Sequence, residues 1–295
     1  MQRKHIYWIA ALLVLAFAGD RLGGWLLGKM VSGSQFRYSK LYDGRSGAEI
    51  LFLGNSRGLM FYQPYIEEIT GKTTANLSYN GLPMDLGKIL LEDYLEHNAA
   101  PELLILDVTM CDRRNAPLIV NFSPYLPYSN RLDTLIKSNN NTAYWGAQVS
   151  HLYRYNGEVF QRALYHYNKS DEDWLIDRVI TDDLIRSLEK EPPYTIDIQP
   201  YLMEQLGAAV RFAQARNIQI HLVINPYYPP FADKITNLEA FKAAVIEATG
   251  LPVYDYAKSV TDVAGFGDYQ HLNKEGSKQY LDQLFESRLL GDSMQ

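Results

Sequence analysis

The chain of 295 residues predicts an α/β fold, a three-layer α/β/α sandwich around a mainly parallel sheet. An N-terminal membrane helix precedes the sandwich and a helical insertion interrupts it. Three observations lead there. Short strand-like segments at 50–53, 74–77, 103–108, 218–224 and 253–255 alternate with stretches of helical period, the pattern of successive β–α units. The run from Leu103 to Val108 is apolar but for Asp107, as strands buried on both faces of a parallel sheet mostly are. The first run ends at once in Gly54-Asn55-Ser56, a tight turn at a strand's carboxyl end, where α/β sheets bind ligands.

The elements follow in order. Arg3 and Lys4 precede thirteen apolar residues, Ile6 to Ala18, then Gly19, Asp20, Arg21 and a second apolar patch, Leu22 to Leu27. Thirteen residues suit a signal-peptide core, and Ala16-Phe17-Ala18 offers a cleavage site. The alternative is an uncleaved anchor over residues 1–30, since Ile6 to Leu27 reaches the roughly 20 residues a span requires. In either case the basic flank keeps the N-terminus cytoplasmic and sends the remainder across the membrane. Residues 31–48 are polar and dotted with Gly and Ser, which predicts a tether. The first strand, Ile50–Leu53, leads to a helix expected over 58–70 and closed by Gly71. A short strand at 74–77 feeds the turn cluster Ser78-Tyr79-Asn80-Gly81, and a helix is expected over 84–98. After the strand at 103–108 the alternation stops. Residues 112–193 hold no strand pattern and many aromatics, which predicts an inserted helical cap at the edge where such folds carry function. A purely structural decoration fits the same pattern. Alternation resumes with a helix over 198–216, the strand 218–224, a helix over 238–248, the strand Val253–Asp255, a loop over 265–273 and a helix from Lys274.

Composition limits the functional classes. Hydrophobic residues make up 47% and charged residues 21%, ordinary for a chain with a sizeable core. A net charge of −6 gives no basic footprint for nucleic acid. The single cysteine, Cys111, has no partner for an internal disulfide. No His/Cys/Asp/Glu spacing predicts a metal site, and no phosphate-binding Gly-rich loop is present, so no cofactor is expected. The 22 tyrosines suit carbohydrate faces and half-buried surfaces alike.

Ser56 stands at or beside a helix N-terminus, where free backbone N–H groups can hold an oxyanion. It can equally serve only as a helix cap. As a nucleophile it needs a base from elsewhere in the chain. Gly267-Asp268-Tyr269-Gln270-His271-Leu272-Asn273 supplies one, because an Asp three residues before a His can fold back and orient the imidazole towards Ser56.

Gly54-Asn55-Ser56 near the start and Asp268-x-x-His271 near the end resemble the first and last blocks of the SGNH (GDSL-like) hydrolase superfamily. The likeness is to its membrane-anchored bacterial branch, which includes alginate-type O-acetyltransferases and the teichoic-acid D-alanine transfer protein. It spans roughly Glu49 to Glu286, interrupted by the insertion. The resemblance implies a five-stranded sheet in flavodoxin-like order and a triad of Ser56, His271 and Asp268. It also implies an oxyanion hole from the Ser56 and Gly81 amides, although Gly81 can instead only satisfy its turn. The superfamily's third block, Gly-x-Asn-Asp, is absent. The chain reads Asp107-Val108-Thr109-Met110-Cys111-Asp112 there, which leaves Thr109, or no side chain, as third donor. Asn80 is a weaker substrate-binding candidate. Arg57 could bind an anionic group or pair with an acid such as Glu49. Asn225 could face the crevice or cap the turn before Pro226.

Three functions compete. One is an extracytoplasmic acyltransferase, acetyl foremost, that takes its acyl group from a membrane-bound partner and passes it to a polysaccharide or cell-wall polymer. The second is an esterase using the same residues. The third is a non-catalytic scaffold in an envelope polysaccharide complex.

Overall fold

A computed structural model of the chain describes residues 3 to 291. In chain order these form α1 (Arg3–Ser32), α2 (Arg37–Tyr42), β1 (Ile50–Leu53), α3 (Gln63–Thr70), β2 (Thr74–Asn76), α4 (Met84–His97) and β3 (Leu103–Asp107). The helices α5 (Ala116–Asn121), α6 (Asn130–Asn139), α7 (Asn141–Val149), α8 (Glu158–Tyr165), α9 (Asp182–Lys190) and α10 (Pro200–Gln214) follow. The chain then continues through β4 (Gln219–Ile224), α11 (Pro229–Ala232), α12 (Leu238–Thr249), β5 (Val253–Asp255) and α13 (Lys274–Glu286). The described residues fold into two compact units, one of 3–43 with 116–170, the other of 44–115 with 171–291.

The second unit is the expected sandwich. Its five strands are all parallel in the order β2-β1-β3-β4-β5, the flavodoxin-like order. Every residue of β1 and β3 is buried, which explains their apolar runs, interrupted only by the terminal Asp107. Right-handed crossovers put α4, α10 and α12 on one face and α3 on the other. The packing agrees, since α10 lies against α4 and α12 while α13 lies against α3. The chain leaves β1 towards β2 and then returns past β1 to β3. That reversal opens a crevice beyond the carboxyl ends of β1 and β3.

One boundary differs from expectation in a way that shapes the crevice. The helix expected over 58–70 is two pieces, a 3₁₀ turn at Ser56–Met60 and α3 from Gln63. Pro64 sits in the first turn of α3, and a proline ring cannot continue a helix that began before it. Ser56 therefore opens a tight turn of its own. Gly58 makes that turn possible, because a Cβ there would lie 2.3 Å from Ser78 Oγ.

The other unit is helical. α1 carries a 29-residue segment, Lys4–Ser32, long and apolar enough to cross a membrane by length and composition. Residues 31–43, expected to begin a tether, are packed instead. Phe36, Tyr38 and Leu41 are fully buried. The Tyr38 ring meets Phe122 at 4.7 Å, Tyr42 stacks on Tyr125 at 5.1 Å, and the Ser34 hydroxyl donates to the Ala163 carbonyl. The aromatics in that stretch find partners some 80 residues further on, and burial of those rings fixes the segment. The insertion expected as one piece over 112–193 is divided. Residues 116–170 belong to the helical unit, and 171–193 pack within the sandwich unit.

Candidate active site

The turn after β1 is built by side chains that close on the backbone. Asn55 Oδ1 accepts from the Arg57 amide at 3.0 Å, an Asx turn that presents Ser56 at its apex. The loop before α13 is built the same way. Asp268 Oδ1 accepts from the amides of Gln270 at 2.9 Å and His271 at 3.0 Å. Gly267 N–H donates to the His271 carbonyl, and Phe266 pairs with Leu272. Asn273 caps α13 through the amides of Glu275 and Gly276 and donates to the Ala264 carbonyl at 2.6 Å. Side-chain-to-backbone hydrogen bonds thus fix both ends of the site.

These turns bring Ser56, His271 and Asp268 together. His271 Nδ1 lies 2.9 and 3.1 Å from the two Asp268 oxygens, and Nε2 lies 2.8 Å from Ser56 Oγ. An ionised carboxylate only accepts, so Nδ1 carries the proton and Nε2 is left to accept from the serine hydroxyl. Burial acts to raise the Asp268 carboxyl, but the His271 ring and the Gln270 and His271 amides outweigh it and hold it below its ordinary value of 3.8. Arg178 lies 3.5 Å from the same carboxylate and, being exposed, adds little.

Gly81 lies in the turn after β2 at φ +65°, a conformation that favours glycine. Asn115 Nδ2 donates to its carbonyl at 2.9 Å. Among the described residues the Ser56 and Gly81 amides have no hydrogen-bond partner, and both residues line one cavity with Asn80, Asp112, Arg113 and His271. A second cavity meets the first at Ser56 and His271 and is mainly apolar, walled by Met60, Trp174, Leu175, Ile176 and Leu272. Asn80 lines both.

Three weaker candidates bear on the buried Asp107. Thr109 is buried. It accepts from Asn55 Nδ2 and donates to Asp107, so it points under the turn and lines neither cavity. Asn225 has no exposure; it donates to Asp107 Oδ2 at 3.1 Å and accepts from the Tyr280 hydroxyl at 3.0 Å. Both amide ends are used inside the protein, and substrate does not reach them. Arg57 does not pair with Glu49, whose carboxylate holds Thr73. Its guanidinium lies over the Tyr227 ring at 4.3 Å, with Nε 3.8 Å from Asp107. Arg57 is only 7% exposed, yet lines both cavities.

The residue that ties this together was not singled out from sequence. Asp107 ends β3 and is fully buried. Burial pushes its carboxyl up, against the pull of Arg57, Thr109 and Asn225. Through Thr109, Asn55 and Arg57 it ties the serine turn to β3, and through Asn225 to β4. A lone Asp closing an apolar strand was its only signal. Trp174, Leu175 and Ile176 were not singled out either; they stand in an acidic stretch of the expected cap. They reach the site through a bridge between Ile176 and Asn273 and a bond from the Lys274 amide to the Ile176 carbonyl.

No protein-family model matches the chain, and no curated protein does. Among solved structures the chain is similar to that of a "putative acylhydrolase" from Bacteroides fragilis. Identity is 13%, the match covers 82% of this chain and 87% of that one, and the TM-score is 0.39.

Proposed function

We propose that this protein is an SGNH-type acyl-transfer enzyme working outside the cytoplasm, with Ser56 as nucleophile, His271 as general base and Asp268 as the group that orients it. Ser56 Oγ attacks the ester carbonyl while His271 Nε2 takes the hydroxyl proton. The amides of Ser56 and Gly81 receive the developing oxyanion. His271 then returns the proton to the leaving alcohol, which leaves an acyl-enzyme. Asp268 keeps the proton on Nδ1 and stabilises the imidazolium. An alcohol of a polysaccharide or cell-wall polymer, activated by the same histidine, completes the transfer. Acetyl is the acyl group proposed first, delivered by a membrane-bound donor protein.

The observation that supports this reading is the continuous relay of 2.8 and 2.9 Å contacts from Ser56 through His271 to Asp268. The residues come from opposite ends of the chain, and a capping serine has no need of such an arrangement. The test is to incubate the protein with p-nitrophenyl acetate, with and without a soluble polysaccharide. Transfer of acetyl to polymer, faster than release to water, is the expected result. Release to water alone would make the protein an esterase. Absence of p-nitrophenol release would remove the enzymatic reading.

A further inference from the structure

The apolar run of α1 contains two charges, Asp20 and Arg21, and both are engaged by the segment at the end of α7. The Asp20 carboxylate accepts from the Ser150 hydroxyl at 2.6 Å and from the amides of His151 at 2.8 Å and Leu152 at 3.1 Å. Arg21 donates to the Val149 carbonyl at 3.1 Å and lies 3.6 Å from Asp20. Gly23 and Gly24 let this segment lie flat on the helix. A Cβ on the first would meet Leu152 at 2.9 Å, and on the second His151 at 2.3 Å. Residues 149–152 therefore clasp α1 where its charges are.

The side chains the clasp turns outward are apolar. Trp145 is 52% exposed, Val149 71%, Leu152 44% and Tyr153 41%. Trp145 and Val149 stand four apart on α7 and so share a face. Leu22 and Trp25 of α1, 60% and 58% exposed, continue the surface.

Length decides what covers it. A hydrocarbon core of about 30 Å takes about 20 residues at about 1.5 Å each. The thirteen residues from Ile6 to Ala18 supply only about 20 Å of that length. Counted from Ile6, a full span ends at Trp25, which places the clasped stretch inside the bilayer. Non-helical backbone at that depth must have its polar groups satisfied within the protein. Here Asp20 takes two of the clasp's amides and Arg21 one of its carbonyls. The same contacts neutralise the two charges, which lipid alone would not tolerate cheaply.

We propose that residues 145–153 are a lipid-binding clasp, seated in the leaflet that faces the folded domains, with Trp145 and Tyr153 at the headgroup boundary that suits such rings. The proposal rests on α1 being a retained membrane span. It makes the helical unit a membrane-seated element fixed to the anchor.

The test places a single exposed cysteine at Val149, with Cys111 left in place because it is fully buried. The full chain is reconstituted in liposomes, labelled with an environment-sensitive fluorophore and quenched by lipids carrying a shallow or a deep nitroxide. Phe17→Cys marks the span and Glu239→Cys marks water, and Trp145→Cys gives a second reading of the clasp. Val149→Cys and Trp145→Cys are expected to be quenched most by the shallow nitroxide and several-fold more than Glu239→Cys. Quenching at Phe17→Cys with none at Val149→Cys or Trp145→Cys would overturn the clasp and leave the anchor standing. No quenching at Phe17→Cys would remove the anchor itself, and the clasp with it.

Discussion

At the scale of single residues, Asp268 carries two tasks. It holds the His271 loop through two amides and accepts the hydrogen bond from Nδ1–H. Its folded pKa lies below the ordinary 3.8, so its contribution to stability is fully present above about that pH. The contribution is lost as pH falls further, through the folded value. Asp268→Asn should therefore unfold at a lower temperature than the parent near neutrality, and the gap should close as pH drops below about 3.8. Thermal melts across that range check this, and a gap that stays constant down to pH 2 would contradict it. Asp107 has a different kind of importance. It touches no cavity, but Arg57, Thr109 and Asn225, all weak site candidates from sequence, bear on it. Their types and positions at strand ends were legible. Their direction was not, because a side chain just past a strand end points up or down according to a turn geometry that composition does not record.

At the scale of elements, the strands were the most legible part. Parallel strands buried on both faces must be apolar throughout, and Ile50–Leu53 and Leu103–Asp107 are apolar up to that final acid. The single helix expected over 58–70 failed because periodicity ran past Pro64, while the proline fixed a new start for α3. The tether failed for a longer-range reason. Phe36, Tyr38 and Tyr42 look like isolated aromatics in a polar stretch until His166, Phe122 and Tyr125 come beside them. The turn after β2 makes the sharpest element-level prediction. Gly81 sits at φ +65°, and a Cβ there would lie 2.8 Å from Asn115 Nδ2. Gly81→Ala should cost about 1–2 kcal/mol of stability from backbone strain. If its amide receives the oxyanion, turnover should also fall by roughly tenfold or more with KM little changed. Steady-state kinetics on an activated ester give the split, and an unchanged kcat would take Gly81 out of the chemistry.

At the scale of the whole molecule, α1 connects chemistry to compartment. Arg3 and Lys4 stand at the start of the only segment among the described residues that is long and apolar enough to span a membrane. The proposed extracytoplasmic reading has the positive-inside bias send everything after it across. Alkaline phosphatase fused after Gln295 should be active in a bacterial host. An inactive fusion, with an active cytoplasmic reporter at the same point, would reverse that topology. The central claim, however, is that residues from the two ends of one chain form a working nucleophile. A fluorophosphonate probe tests it most directly, applied to the full-length protein and read by intact mass and peptide mapping. The account predicts one covalent adduct on Ser56 in the parent, none in Ser56→Ala, and labelling slowed by roughly a thousandfold or more in His271→Ala, since the groups act as a unit. A parent that stays unlabelled, or one labelled equally well without His271, would contradict it.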